Sequence, residues 1–186
     1  ALALAEGIGR RRLEALLERR GGPRRLLRAP PRELLPEASW HFVGHLQTNK
    51  VRLVRPRVEV LHSLDRPSLV EAWLKGPGTP PPAYVQVDLA DEPQKGGVDA
   101  AGAGPLIELA KGFGIDVLGL MTLPPRDGDP RRWFADLRSL RDRLEATVGP
   151  LPGLSMGMSA DFEEAIAEGS TAIRLGTTIF GARPQV

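Results

Sequence analysis

LSMGMSADFEEAIAEGSTAIRLGTTIFGAR, residues Leu154 to Arg183, is the stretch on which the reading of this chain turns. An apolar run ends at Ser155, and the small or hydroxyl residues Gly157 and Ser159 follow before Asp161, Glu163 and Glu164. Acidic residues belong at the head of a helix, whose N-terminus carries partial positive charge. Gly169 supplies the permissive backbone that a helix C-terminus needs, and Thr171 to Leu175 is a short β-branched and apolar run that ends in Gly176, Thr177 and Thr178. The pattern is strand, loop, helix, strand, loop. In a parallel α/β protein both loops fall on one face of the sheet, where their backbone N–H groups and hydroxyls suit a phosphate without any metal. Ser and Gly after a strand are also ordinary turn residues, so two such loops bracketing one helix weigh more than either alone. Arg174 adds to the case. It ends an otherwise apolar strand, where an arginine pairs with an acid, faces solvent, or faces an anion or a ring nitrogen.

Working outward, 186 residues of which 41% are apolar suffice for one domain with a substantial core. There is no run of about 18 apolar residues. The opening ALALAEGIG is short and runs straight into arginines, so it reads neither as a membrane span nor as a leader, and a cytoplasmic protein with no membrane partner is the expectation. Without cysteine there are no disulfides and no thiolate metal sites, and His41, His45 and His62 fall in two places, which argues against zinc. The isoelectric point near 9.4 suggests a nucleic-acid partner until the charge is located. Residues 1–36 hold nine Arg and four Glu, whereas the other 150 residues hold 16 basic and 19 acidic groups. The body is mildly acidic, so no nucleic-acid partner is expected.

Two texts therefore make up the chain: an atypical Arg-rich segment over 1–36 and a regular one over 37–186. In the first, Leu13, Leu16 and Leu17 at helical spacing predict one amphipathic helix that Gly21, Gly22 and Pro23 end. In the second, strands are predicted at Trp40–Val43, Val58–Leu61, Tyr84–Leu89, Val117–Met121, up to Ser155, and Thr171–Leu175. Helices separate most of them, with Ser68 as an N-cap and a core-facing helix over Arg131–Val148 carrying Trp133, Phe134, Leu137, Leu140 and Leu144. Six strand–helix units at this spacing make a parallel sheet, open or closed. His41 reads as a packed, hydrogen-bonded histidine rather than a ligand. Gln47, Asn49, Lys50 and Lys95 follow strands and stand at the mouth if the sheet closes, whereas Lys75 and Lys111 sit late in helical stretches.

Four further stretches join the opening one: WHFVGHLQTNK at Trp40–Lys50, HSLDR at His62–Arg66, VQVDLADEPQKGGV at Val85–Val98 and, more weakly, GLMTLPP at Gly119–Pro125. Over residues 37–184 the chain resembles the YggS/PROSC-type pyridoxal phosphate homeostasis proteins, whose fold is like the alanine racemase N-terminal barrel. The resemblance implies a TIM-type (β/α) barrel that binds pyridoxal 5′-phosphate (PLP), carries it without catalysis and serves PLP-dependent apoenzymes as clients. It also implies site residues. Ser155, Met158 and Ser159 would present hydroxyl or backbone N–H groups to the phosphate, as would Gly176 and Thr177, and Arg174 would approach the pyridine nitrogen. Relatives also carry a first strand with the PLP-bearing lysine and a second with a Gly-Glu-Asn motif. Here the text reads Gly9, Arg10, Arg11, Arg12, so a barrel lacking strands one and two is implied. A racemase-like PLP enzyme, or a barrel remnant that binds phosphate or nucleotide, are the alternatives.

Overall fold

The computed structural model describes residues 2–3, 39–125 and 127–181; the helix predicted around Leu13–Leu17 lies outside them. The strands are β1 (Leu2–Ala3), β2 (His41–Phe42), β3 (Val60–Leu64), β4 (Ala83–Gln86), β5 (Val117–Met121), β6 (Gly153–Met158) and β7 (Ala172–Arg174). Between them lie α1 (Val51–Val54), α2 (Pro67–Leu74), α3 (Ala100–Gly112), α4 (Pro130–Val148) and α5 (Phe162–Ala167), and α6 (Thr177–Phe180) follows β7. Neighbours in the sheet are neighbours in sequence, β1 through β7 in order. From β2 to β7 every pairing is parallel. That strictly sequential order belongs to a singly wound barrel, whereas a doubly wound sheet reverses its order at a switch point. In a flat sheet β3 and β6 would lie about 14 Å apart, three strand spacings. Instead the His62 and Ser155 side chains meet at 2.8 Å, so the sheet curves about an interior.

Six parallel strands therefore make a partial TIM-type barrel, as the alternation of strands and helices predicts. At its β2 edge, where the sequence predicts no strand, Leu2 and Ala3 pair antiparallel with Phe42 and His41 and give that edge a partner for its backbone groups. Helices cover the outer face, where the main core joins Leu61, Leu64, Val85, Leu120 and Leu154 of the sheet to Trp73 of α2, Ile107 of α3 and Phe134 and Leu137 of α4. A smaller cluster, Val43, Val60, Tyr84 and Met121, forms separately. Gly102, Gly104 and Pro105 do not prevent α3, because Asp99 caps it by accepting from Gly102 N at 2.6 Å and Ala103, Leu106, Ile107 and Ala110 are buried. Gly104 in turn lets Leu144 of α4 approach, since a Cβ there would lie 3.2 Å from Leu144 Cδ2.

Several predicted boundaries move; the strand predicted over Tyr84–Leu89 runs Ala83–Gln86, and three other shifts bear on the site and its neighbours. The strand predicted to end at Leu61 continues to Leu64, which takes His62 and Ser63 into the sheet, and the strand predicted to end at Ser155 continues to Met158. Helix α2 begins at Pro67 with Arg66 as its N-cap, so Ser68 is inside it; proline suits the first helical position because its fixed φ is helical and its missing N–H would have had no partner.

Strands β5 and β6 approach closely at a glycine pair. Gly119 stands opposite Gly153, and a Cβ on Gly119, whose φ is +152°, would lie 1.8 Å from the Gly153 carbonyl oxygen. Gly119→Ala is expected to cost about 3 kcal/mol or more in urea unfolding. Gly112→Ala, with open space around the new methyl, should be neutral or gain up to about 1 kcal/mol. Equal stabilities for the two variants would contradict the close approach.

Candidate functional site

The sequence-predicted residues fall into two groups because β6 is longer than its pattern suggests. Ser155 lies within the strand, fully buried, about 10 Å along the backbone below Met158. There it meets Arg174 from the end of β7: Nη1 donates to Ser155 Oγ at 2.8 Å and Nη2 to the Thr122 carbonyl at 2.9 Å. The expectation that Ser155 shares a loop with Met158 and Ser159 is therefore corrected. Ser159, in the loop itself, joins the other group: its Oγ accepts from the backbone N–H of Gly176 at 3.0 Å and of Thr178 at 3.3 Å. Met158 N donates to Asp161 Oδ1, and Thr177 opens the exposed turn of α6. Helices α5 and α6 have only six and four residues, so local amides, rather than long helix dipoles, supply the donors.

The lower group extends further than sequence reasoning reached. Glu59, a carboxylate, only accepts, so Ser39 donates to it at 2.8 Å and Ser39 Oγ accepts from His41 Nε2 at 3.1 Å. At the far end Arg174 only donates. With both imidazoles neutral, the bonds between these ends have one sense: Ser155 donates to His62 Nδ1 at 2.8 Å, and His62 Nε2 donates to His41 Nδ1 at 2.8 Å. A hydrogen-bonded chain thus crosses the interior from the C-terminal end of β7 to the N-terminal ends of β2 and β3. Tyr84 stacks on His62 with ring centroids 4.6 Å apart. His62 appears in the HSLDR motif, but nothing in that motif says it faces a serine 93 residues later.

Burial controls the charges here. It lowers the Arg174 pKa to about 10, against a smaller opposing effect of Asp161, so the guanidinium stays protonated at neutral pH. Its Nε is buried with no partner. Burial, with smaller electrostatic contributions from His41 and Arg174, lowers His62 from 6.5 to about 3.

At the C-terminal ends of β3 and β4 a third set of polar groups is self-satisfied. Asp65 takes Arg66 and His45, and Gln86 Nε2 donates to the Lys95 and Gly96 carbonyls, both at 2.9 Å. The Lys95 ammonium is held by Glu92 and the Pro124 carbonyl. Lys50 is exposed in the 3₁₀ turn before α1, and Lys111 closes the end of α4 by donating to the Val148 and Pro150 carbonyls. Among the described residues no group of three or more His, Asp or Glu is placed to hold a metal ion, and no helix is long and apolar enough to cross a membrane.

The family model described as alanine racemase, N-terminal domain, matches residues 3–184, which reaches beyond the 37–184 carried by the motifs. The pyridoxal phosphate homeostasis protein of Aquifex aeolicus is 42% identical over 155 residues, covering 79% of this chain and 68% of that protein. This chain belongs to the pyridoxal phosphate homeostasis protein family. Its Mycobacterium tuberculosis relative is 35% identical, and the alignment covers 77% of this chain and 61% of that protein, so the chain spans between six and seven tenths of these relatives' length. Among solved structures, PipY of Synechococcus elongatus with PLP bound superposes with a TM-score of 0.69 at 31% identity, over 81% of this chain and 74% of PipY. In that fold the two groups are built on the consecutive strands β6 and β7 and on the turns that follow them.

His62 makes the stability of this family member depend on pH. Its folded pKa lies below its unfolded one, so on acidification the unfolded chain takes up the proton first. The stability that neutral His62 contributes is full above about pH 6.5 and is lost as the pH falls towards about 3, by up to roughly 3 to 5 kcal/mol. Urea unfolding across that range should show a shallower slope for His62→Asn than for the parent chain, and equal slopes would contradict the buried neutral imidazole.

Proposed function

We propose that this chain binds PLP and acts, without catalysis, in keeping the intracellular PLP supply, with PLP-dependent apoenzymes as recipients. The observation that carries this is Arg174, a buried guanidinium at a strand end, fixed by Ser155 and Thr122, whose Nε–H is left without an acceptor. A pyridine nitrogen is the kind of acceptor that such a donor lacks. The donors of the loops fit the other end of the same molecule. Backbone N–H groups of Gly176 and Thr178 already converge on one oxygen, the Ser159 hydroxyl, and a phosphate is a stronger acceptor than a hydroxyl.

In this reading Ser159, Gly176, Thr177 and the Met158 backbone hold the phosphate, Ser155 acts by orienting Arg174, and Arg174 meets the ring nitrogen. PLP, when bound, supplies an aldehyde and a ring that can serve as an electron sink. A guanidinium with a pKa of about 10 keeps its own proton beside a pyridine, so it leaves the ring nitrogen unprotonated and the sink weak. Neutral His62 is committed to Ser155 and His41, which removes it as an acid at neutral pH. The hydrogen-bonded chain from Arg174 to Glu59 is the one feature that favours a racemase-like enzyme instead, and alanine racemisation by the PLP-loaded chain would establish that reading.

Absorbance titration with PLP tests the proposal. Ser159→Ala with Thr177→Ala should weaken binding by roughly one to four decades, the loss of charge-assisted hydrogen bonds of about 1.5 to 3 kcal/mol each. Unchanged affinity would remove the loops from the site, and no saturable PLP binding by the parent chain would remove the function. Of the four lysines, only Lys50 and Lys95 follow strands, and Lys95 is engaged by Glu92 and Pro124. After borohydride treatment of the PLP-loaded chain, peptide mass analysis should find partial label on these two, and a stoichiometric label on either would show that the binding is covalent.

A further inference from the structure

The geometry points to a second anion site, for a small phosphorylated organic molecule, outside the barrel in the groove between Thr48–Pro56 and the end of α2. A cavity of about 620 Å³ opens there, within the size range of small-molecule sites and lined by none of the residues after β6 or β7. Three of its lining residues are cations, Arg52, Arg55 and Lys75, and none is a carboxylate.

Arg55 is the decisive member. Only 3% of it is exposed, yet it has no carboxylate partner among the described residues. Its Nη1 and Nη2 donate to the carbonyls of Pro77 and Gly78, both at 2.7 Å, and its Nε is buried with no partner. Carbonyl dipoles fix the guanidinium but do not neutralise it, and a buried charge without a counter-ion is strongly unfavourable. The chain keeps that arrangement by having glycine at 76, where a Cβ would lie 1.9 Å from Arg55 Nη1. Arg52 and Lys75, both exposed, reach the same cavity from the two sides and make no ion pair among the described residues. An anion in the groove gives all three a common counter-ion.

The remaining lining residues define the class of anion. Thr48 and Asn49 add neutral hydrogen-bonding groups to the lining, which suit phosphate oxygens, while Val51, Ala72 and Pro56 add apolar surface that a bare ion would leave unused. A phosphate monoester with a small apolar or aromatic body matches both.

Amide-resolved NMR titration of the full chain with phenyl phosphate and with inorganic phosphate separates this groove from the cofactor loops by residue. Saturable shifts are expected at Thr48, Asn49, Arg52 and Gly76 and at the protected Arg55 Nε–H, with phenyl phosphate binding more tightly than inorganic phosphate. Arg52→Glu with Lys75→Glu, two exposed positions, should weaken phenyl phosphate at these signals about tenfold or more. Shifts confined to Met158–Thr178, equal affinity of the two probes, or an unaltered titration in the charge-reversed variant would overturn the proposal.

Discussion

A guanidinium inside a barrel must find oxygen acceptors, and the way Arg174 finds them ties the sheet together. Its two terminal nitrogens reach Ser155 within β6 and the Thr122 carbonyl just past β5, so three consecutive strands are tied to one cation. Ser155 can accept from Arg174 and still donate only if something across the interior accepts its proton, and neutral His62 on β3 does so. The desolvation that makes His62 hard to protonate thus also keeps it an acceptor. The curvature of the sheet, the charge of the arginine and the tautomer of the histidine are one linked condition.

Cations on loop and helix-end carbonyls recur through the rest of the molecule. Arg55 holds the turn at Pro77 and Gly78, Arg66 donates to the Leu46 carbonyl, and Lys111 to the Val148 and Pro150 carbonyls at and just past the end of α4. One buried carboxylate works the other way: Glu168, just after α5, takes Arg131 and Arg138 from α4 and so joins the two helices. With aromatic residues only 5% of the chain, these polar ties, together with the aliphatic core, set how the βα units sit against one another.

The regular parts of the fold were legible because they carry strong periodicity. β5 was predicted to the residue, and the helix over Arg131–Val148 begins one residue earlier, at Pro130, than its pattern suggested. Phe134, Leu137 and Leu140 are buried as the spacing required, whereas Trp133 is half-buried with Arg132 over its ring. The two strands read too short share a cause. His62, Ser63, Ser155 and Gly157 look like loop residues, yet all lie in strands, and the first three are buried polar side chains. Each is satisfied by a partner: His62 by Ser155, and Ser63 by the Gly44 carbonyl. Hydrophobic pattern registers whether a residue is apolar; it cannot register that a polar one will meet its complement from a distant strand.

The strictly sequential strand order also says something about time. From β2 to β7 each strand docks on the one made just before it, through a connection that carries a helix, so these pairings close short loops and this part of the sheet can grow in the direction of synthesis. Arg174, Gly176 and Thr178 sit on the last strand and the turn after it. Until β7 is laid down, Ser155 and the Thr122 carbonyl await their cation and Ser159 has no amides to gather. The interior wire and the anion loops therefore come into being together, when β7 docks on β6, and cannot serve as a scaffold for the strands before it.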